Sequence, residues 1–165
     1  MIIEVNEETI RFVVEILNES YRGEQGWTTE RGLVSGERAT ETIIRTEIRS
    51  GYQYYLYKQD TNYIGCFNLS NNDSAVEIGG FGIKANYQGA GLGKALLNQA
   101  ETLAKSTLNT SRLIVSVLEP RKELINFYER RGYRLTDKKY PFPQHRGVGV
   151  PLIDNLQVVV LEKFI

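Results

Sequence analysis

Apolar residues recur at two different periods along this chain, and the switches between those periods divide it into elements. Ile10, Val13, Val14, Leu17 and Tyr21 fall at helical spacing. Asn6, followed by Glu7 and Glu8, offers the side-chain oxygen and negative charge that a helix start favours, and Gly23 should end this helix. Residues 22–36 have no clear period and contain Gly23, Gly26, Gly32 and Gly36, which predicts a loop or a loop with a short turn. A second helix is expected over residues 37–49 on Ile43, Ile44 and Ile48, with Gly51 at its C-terminal cap. Residues 52–58, 63–69 and 75–83 then read as three strands of an antiparallel meander, separated by turns at 60–62 and 70–74. Leu92, Leu96, Ala100, Leu103 and Ala104 restore the helical period from near Gly91. Residues 113–118 predict a buried strand, and Leu124, Phe127 and Tyr128 a helix entered through Pro120 and ended by Gly132. Residues 133–136 start another strand, and 141–151 form a loop. Residues 156–161, apolar on both faces, predict a strand inside the sheet, while residues 2–5 suggest a short strand at the start. This order specifies an α/β layered domain with a mixed sheet.

Composition narrows the function. A chain of 165 residues is expected to form a single domain, residues 1–165. Lys+Arg and Asp+Glu are both 20, so the basic excess of a dedicated nucleic-acid binder is missing. The one cysteine, Cys66, excludes a disulfide framework and every multi-cysteine metal site. No apolar run approaches the ~18 residues of a membrane helix, and the N-terminus lacks the features of a signal peptide. A reduced, cytoplasmic location is the expectation.

The strongest chemical signal is Tyr87-Gln88-Gly89-Ala90-Gly91-Leu92-Gly93-Lys94-Ala95, between a predicted strand and a predicted helix. Glycines there bring backbone N–H groups close to a ligand, and the helix N-terminus adds positive potential, which together suit phosphate. A nucleotide P-loop does not fit, because Gln88 stands at its first glycine and Ala95 at its metal-binding hydroxyl. The dinucleotide fingerprint fails at its third glycine, which is Lys94.

Gln88, Gly91 and Gly93 instead match a Gln/Arg-x-x-Gly-x-Gly/Ala pattern, and the chain resembles the GNAT superfamily of acetyl-CoA-dependent N-acetyltransferases. Two more blocks carry the resemblance. Glu77-Ile78-Gly79-Gly80-Phe81-Gly82-Ile83 is similar to the family's bulged, splayed strand, and close approach of a ligand would explain its three glycines. Asn126 to Tyr133 is similar to its second block, a helix with Phe-Tyr ending at Gly-Tyr. The resemblance implies a mixed, mostly antiparallel sheet of six to seven strands flanked by about four helices. It implies acetyl-CoA as cosubstrate, without a metal, held by Phe81, Gly82, Ile83, Gln88, Gly89, Ala90, Gly91, Leu92, Gly93 and Lys94. Arg121 stands where many members carry a CoA-contacting asparagine, so the local contact should differ.

The resemblance also implies Tyr128 as the acid that protonates the departing thiolate and Glu77 as the base for the amine. The backbone N–H near Phe81 would donate to the thioester carbonyl, and Ile83 would pair with the pantetheine arm. The loop between the first two helices falls where the family builds its acceptor pocket, so Tyr21, Glu24, Trp27 and Glu30 are the candidates for binding a cationic acceptor. The expected reaction is direct attack by a primary amine of a small molecule on acetyl-CoA in a ternary complex. The expected partner is that amine, with no nucleic acid and no membrane, and a homodimer is allowed. The alternatives are a non-catalytic CoA-binding or sensor domain and a protein or peptide N-acetyltransferase. His145, the only histidine, and Cys66 carry no expected role, the first as an exposed loop residue and the second as a buried one.

Overall fold

The computed structural model describes residues 1–165. Strand β1 (Ile2–Glu4) leads into helix α1 (Ile10–Arg22). Asn6 and Thr9 cap the turn between them reciprocally: Thr9 N–H donates to Asn6 Oδ1 at 3.2 Å, and Asn6 N–H to Thr9 Oγ1 at 2.9 Å. Ile10, Val13, Ile16 and Leu17 are buried, as one stripe of a helix against a sheet requires.

The predicted loop contains a two-residue strand, β2 (Val34–Ser35). Helix α2 (Glu41–Arg49) begins four residues later than its apolar pattern suggests. Thr40 caps it through Ile43 N–H at 3.2 Å, and the backbone of Arg38 and Ala39 is tied instead to Asn18 Oδ1, at 2.7 and 3.0 Å. The meander continues the chain as β3 (Gln53–Gln59), β4 (Asn62–Asn72) and β5 (Ala75–Ile83), with Asp60 and Asp73 at positive φ in tight turns. Then come α3 (Leu92–Leu108), β6 (Arg112–Leu118), α4 (Lys122–Glu129), β7 (Arg134–Pro141), the two-residue β8 (Val150–Pro151) and β9 (Gln157–Phe164).

Seven strands form one sheet in the order β1-β3-β4-β5-β6-β9-β7, antiparallel except for β5 and β6. Strand β9 lies between β6 and β7, as its two apolar faces predict. Strands β2 and β8 pair separately. Helices α3 and α4 cover one sheet face over a core that includes Leu96, Leu97, Ile78 and Tyr128. Helices α1 and α2 cover part of the other face, over Leu17, Ile44, Tyr54 and Cys66.

Strand β5 departs from regular pairing on both of its edges. Its pairing with β6 stops after Val76–Leu113 and Glu77–Ile114, so the strands splay apart toward Ile83 and Leu118. Against β4, Cys66 pairs with Gly82 and Asn68 with Gly79, leaving two residues opposite Phe67. That bulge puts Gly80 at φ +51°.

Candidate functional site

The splay of β5 from β6 opens a cavity of about 530 Å³ that runs from the glycine turn to a polar recess on the α1/α2 side of the sheet. At the glycine turn, Gly89 and Gly91 hold φ of +89° and +76°, with no atom near the place a Cβ would occupy. Left-handed backbone before α3 turns the chain so that Gly91 starts the helix with no side-chain cap. The N–H groups of residues 89–94 consequently donate to no protein group. Lys94, Arg130 and Arg131 add positive charge along this end. Free N–H groups, a helix N-terminus and three cations form a setting that fits a pyrophosphate.

Gln88 behaves differently from its expected role at the turn. Its Nε2 donates to Ile83 O at 2.8 Å, and its Oε1 accepts from Trp27 N–H at 2.6 Å. It therefore ties the end of β5 to the loop after α1, and the Ile83 carbonyl expected to pair with a ligand already has this partner. Ala90 in the turn and Leu92 at the start of α3 do not line the cavity, whereas Gln88, Gly89, Gly91, Gly93 and Lys94 do. Phe81, Gly82 and Ile83 line it from the bulged strand.

The glycines of β5 have an explanation other than ligand approach. A Cβ on Gly82 would lie 2.3 Å from Ser20 Oγ, so glycine lets α1 press against the strand. A Cβ on Gly79 or Gly80 would lie 3.0 or 2.7 Å from the Asn68 side-chain amide. These three positions make room for protein side chains, and all three also line the cavity.

The loop of residues 23–31 does not form one acceptor patch. Trp27 is 56% exposed, and its ring lies 6.0 Å from that of Phe127 at the glycine-turn end of the cavity. Thr28 donates to Glu123 and accepts from Arg121, both at α4, so the loop crosses the cavity as a strap. Glu24 is a correction: its side chain is solvent-exposed, meets only Arg31 at 3.7 Å and is absent from the cavity wall. Glu30 is buried and engaged. Its Oε1 accepts from Arg22 Nε and Nη2 at 3.0 and 2.9 Å, and Arg121 Nη1 stands 3.6 Å from its Oε2. Arg121, 7% exposed, is thus occupied with Glu30 and the Thr28 carbonyl while it lines the cavity. Tyr21 lines the cavity with its ring between Arg38 at 5.0 Å and Arg121 at 5.9 Å.

Tyr128 projects from α4 and is 4% exposed. Its hydroxyl lines the wall without forming a hydrogen bond in the protein, and burial holds it protonated well above the usual phenol range. Glu77 borders the recess beyond. Its Oε1 accepts from Ser116 Oγ at 2.7 Å and its Oε2 from Asn72 Nδ2 at 3.1 Å. Tyr140 and Arg146 close the recess from the β7 side, and Arg146 is anchored by Glu47 Oε1 at 2.6 Å. Cys66 is fully buried away from the cavity, its thiol donating to Gly80 O at 3.3 Å and pushed up to about 12 by burial. His145 is exposed and outside the wall.

Asn68, Ser70, Ser116 and Arg38 also line the recess, and sequence reasoning did not select them. Asn68 left a usable trace, since it is the one polar amide within the apolar run of residues 64–69.

A family model described as the acetyltransferase (GNAT) family matches residues 10–133. Among solved structures, a GNAT family acetyltransferase from Elizabethkingia anophelis with acetyl-CoA bound is 18% identical, covers 100% of this chain and 97% of its own, and has a TM-score of 0.74. An IAA acetyltransferase from Bacillus cereus is 20% identical over 100% of this chain and 99% of its own, with a TM-score of 0.71. A mutant spermidine N-acetyltransferase from Vibrio cholerae is 16% identical over 99% of this chain and 94% of its own, with a TM-score of 0.69. At such identities the three structures speak to the fold, while the family model speaks to the sequence itself. The glycine turn, the bulged and splayed strand and the Phe-Tyr helix all lie within the matched residues, and the chain belongs to the GNAT acetyltransferase family.

Proposed function

We propose that this protein, acting as a single domain, moves an acetyl group from acetyl-CoA to a primary amine of a small molecule by direct attack in a ternary complex. The observation that carries the reading is one continuous cavity with a phosphate-type cradle at one end and a recess bearing Glu77 at the other, with Tyr128 in its wall. The acetyl-CoA-bound relative and the spermidine N-acetyltransferase point to the same donor and to amine acceptors.

Acetyl-CoA supplies an activated thioester. The N–H groups of residues 89–94, with Lys94, Arg130 and Arg131, would hold its pyrophosphate. The Tyr128 hydroxyl holds a proton at neutral pH and has no competing partner, which suits it to protonate a departing thiolate. Glu77, fixed by Ser116 and Asn72, keeps a carboxylate beside the recess to take the ammonium proton, directly or through water. Cys66 is sealed from the cavity, which favours direct transfer over an acyl-cysteine route.

Initial rates measured over a grid of acetyl-CoA and amine concentrations test this reading. Intersecting reciprocal plots, with acetylated amine identified by mass, are expected. Parallel plots would require a covalent acetyl-enzyme. Acetyl-CoA binding without turnover on any amine would favour the sensor alternative.

A further inference from the structure

The recess holds two side chains that the protein leaves without partners. Arg38 is fixed by its backbone to Asn18, and its side chain lines the cavity. Its guanidinium joins no ion pair and donates no hydrogen bond, its Nη1 is buried, and it lies over the Tyr21 ring at 5.0 Å, within electrostatic reach of Arg22 and Tyr54. The other arginines of this region each have a carboxylate partner, although Arg22 and Arg121 share the single Glu30 and Arg121 Nε is also unbonded, while Arg146 pairs with Glu47. Asn68, 3% exposed in the same wall, has a buried Oδ1 with no donor. A half-buried guanidinium with no counter-charge and one sealed, unbonded nitrogen, beside a buried acceptor without a donor, leaves polar atoms unsatisfied, so each points to a missing partner.

The charges define the chemistry of that partner. A guanidinium stacked on a ring keeps its edge donors free, in a fork that matches a carboxylate. Glu77 lies in the same recess with the opposite sign. One free cation and one carboxylate suit a zwitterion, whereas a phosphate dianion would meet repulsion from Glu77. We propose that Arg38 receives a carboxylate of the acceptor, so that the amine acetylated belongs to an amino acid or a close analogue, with Asn68 Oδ1 accepting one of its N–H groups. This rests on the acetyltransferase reading of the same cavity and adds its substrate class.

The test uses matched acceptors: the common L-amino acids, the carboxamide of each, and aminoalkyl phosphates, assayed with acetyl-CoA. At least one free acid should exceed its own amide in kcat/KM by roughly 10- to 100-fold, the span of a lost charge-assisted hydrogen bond. In Arg38→Gln that acid-to-amide preference should collapse toward one, and Arg38→Lys should restore part of it, with circular dichroism and acetyl-CoA affinity checking the fold. Amides turned over as well as acids, a preference that survives Arg38→Gln, or phosphates preferred over carboxylates would each overturn the proposal. Should no amine turn over, the acetyltransferase reading fails separately. Calorimetry with N-acetyl amino acids and their amides then decides the site alone: acid-selective binding lost in Arg38→Gln sustains it, and equal or absent binding overturns it.

Discussion

Tyr128 and Glu77 differ in what the protein does with their polar atoms, and their variants should differ accordingly. The Tyr128 hydroxyl makes no hydrogen bond, so Tyr128→Phe should change stability little. If it is the acid, kcat falls by about 10²–10⁴ while acetyl-CoA affinity holds. The direction of its shift fixes the pH behaviour: a raised phenol stays protonated through neutral and mildly alkaline pH, so no loss of rate between pH 7 and 9 should trace to it. A Tyr128→Phe enzyme with wild-type single-turnover rate removes the acid from the scheme. Glu77→Gln keeps the shape but removes the proposed base. Its rate deficit should be largest near neutral pH and shrink as free amine becomes available at higher pH. A deficit that is constant across pH would assign Glu77 to positioning alone, through Ser116 and Asn72.

Among the elements, α1 packs closely against β5 beside the site. Gly82→Ala should cost on the order of 1–3 kcal/mol, because its Cβ would collide with Ser20 Oγ, and Ser20→Ala in the same chain should recover part of that loss. Urea unfolding of the two variants and the double variant measures the coupling, and strictly additive losses would mean that the strand simply shifts away. The same element shows where sequence reading stops. Helix α3 was legible because Leu96, Ala100 and Ala104 repeat locally, and the meander because its turns carry Asp60 and Asp73. The glycines of β5 were visible but their reason was not, since Ser20 and Asn68 reach them from distant chain positions. Strands β2 and β8 have two residues each and pair Val34 with Pro151, so no local period announces them. The polar run of residues 134–139 hid most of β7, which is held by its register with β9.

Across the whole molecule, the strap of residues 23–31 joins α1 to the N-terminal ends of α3 and α4, and its anchor is a buried charge cluster. Glu30 sits between Arg22 and Arg121 with all three side chains 8% exposed, a role its place in a glycine-rich loop did not announce. Glu30→Gln would leave two buried cations facing one another and should destabilise the fold by about 3–5 kcal/mol, read by denaturant midpoint. A variant of unchanged stability would mean that water already screens the cluster. On the proposed reading, donor binding depends on the glycine turn being the seat of the pyrophosphate. Calorimetric titration of acetyl-CoA into wild type, Gly91→Ala and Gly91→Glu measures that dependence. Gly91→Ala carries the strain of φ +76° without charge, so it separates backbone strain from repulsion. Wild type should bind one acetyl-CoA per chain, Gly91→Ala should weaken binding modestly, and folded Gly91→Glu should lose roughly 100-fold or more, as an unpaired carboxylate facing phosphate does. Wild-type affinity in a folded Gly91→Glu protein would contradict a pyrophosphate seat at this turn.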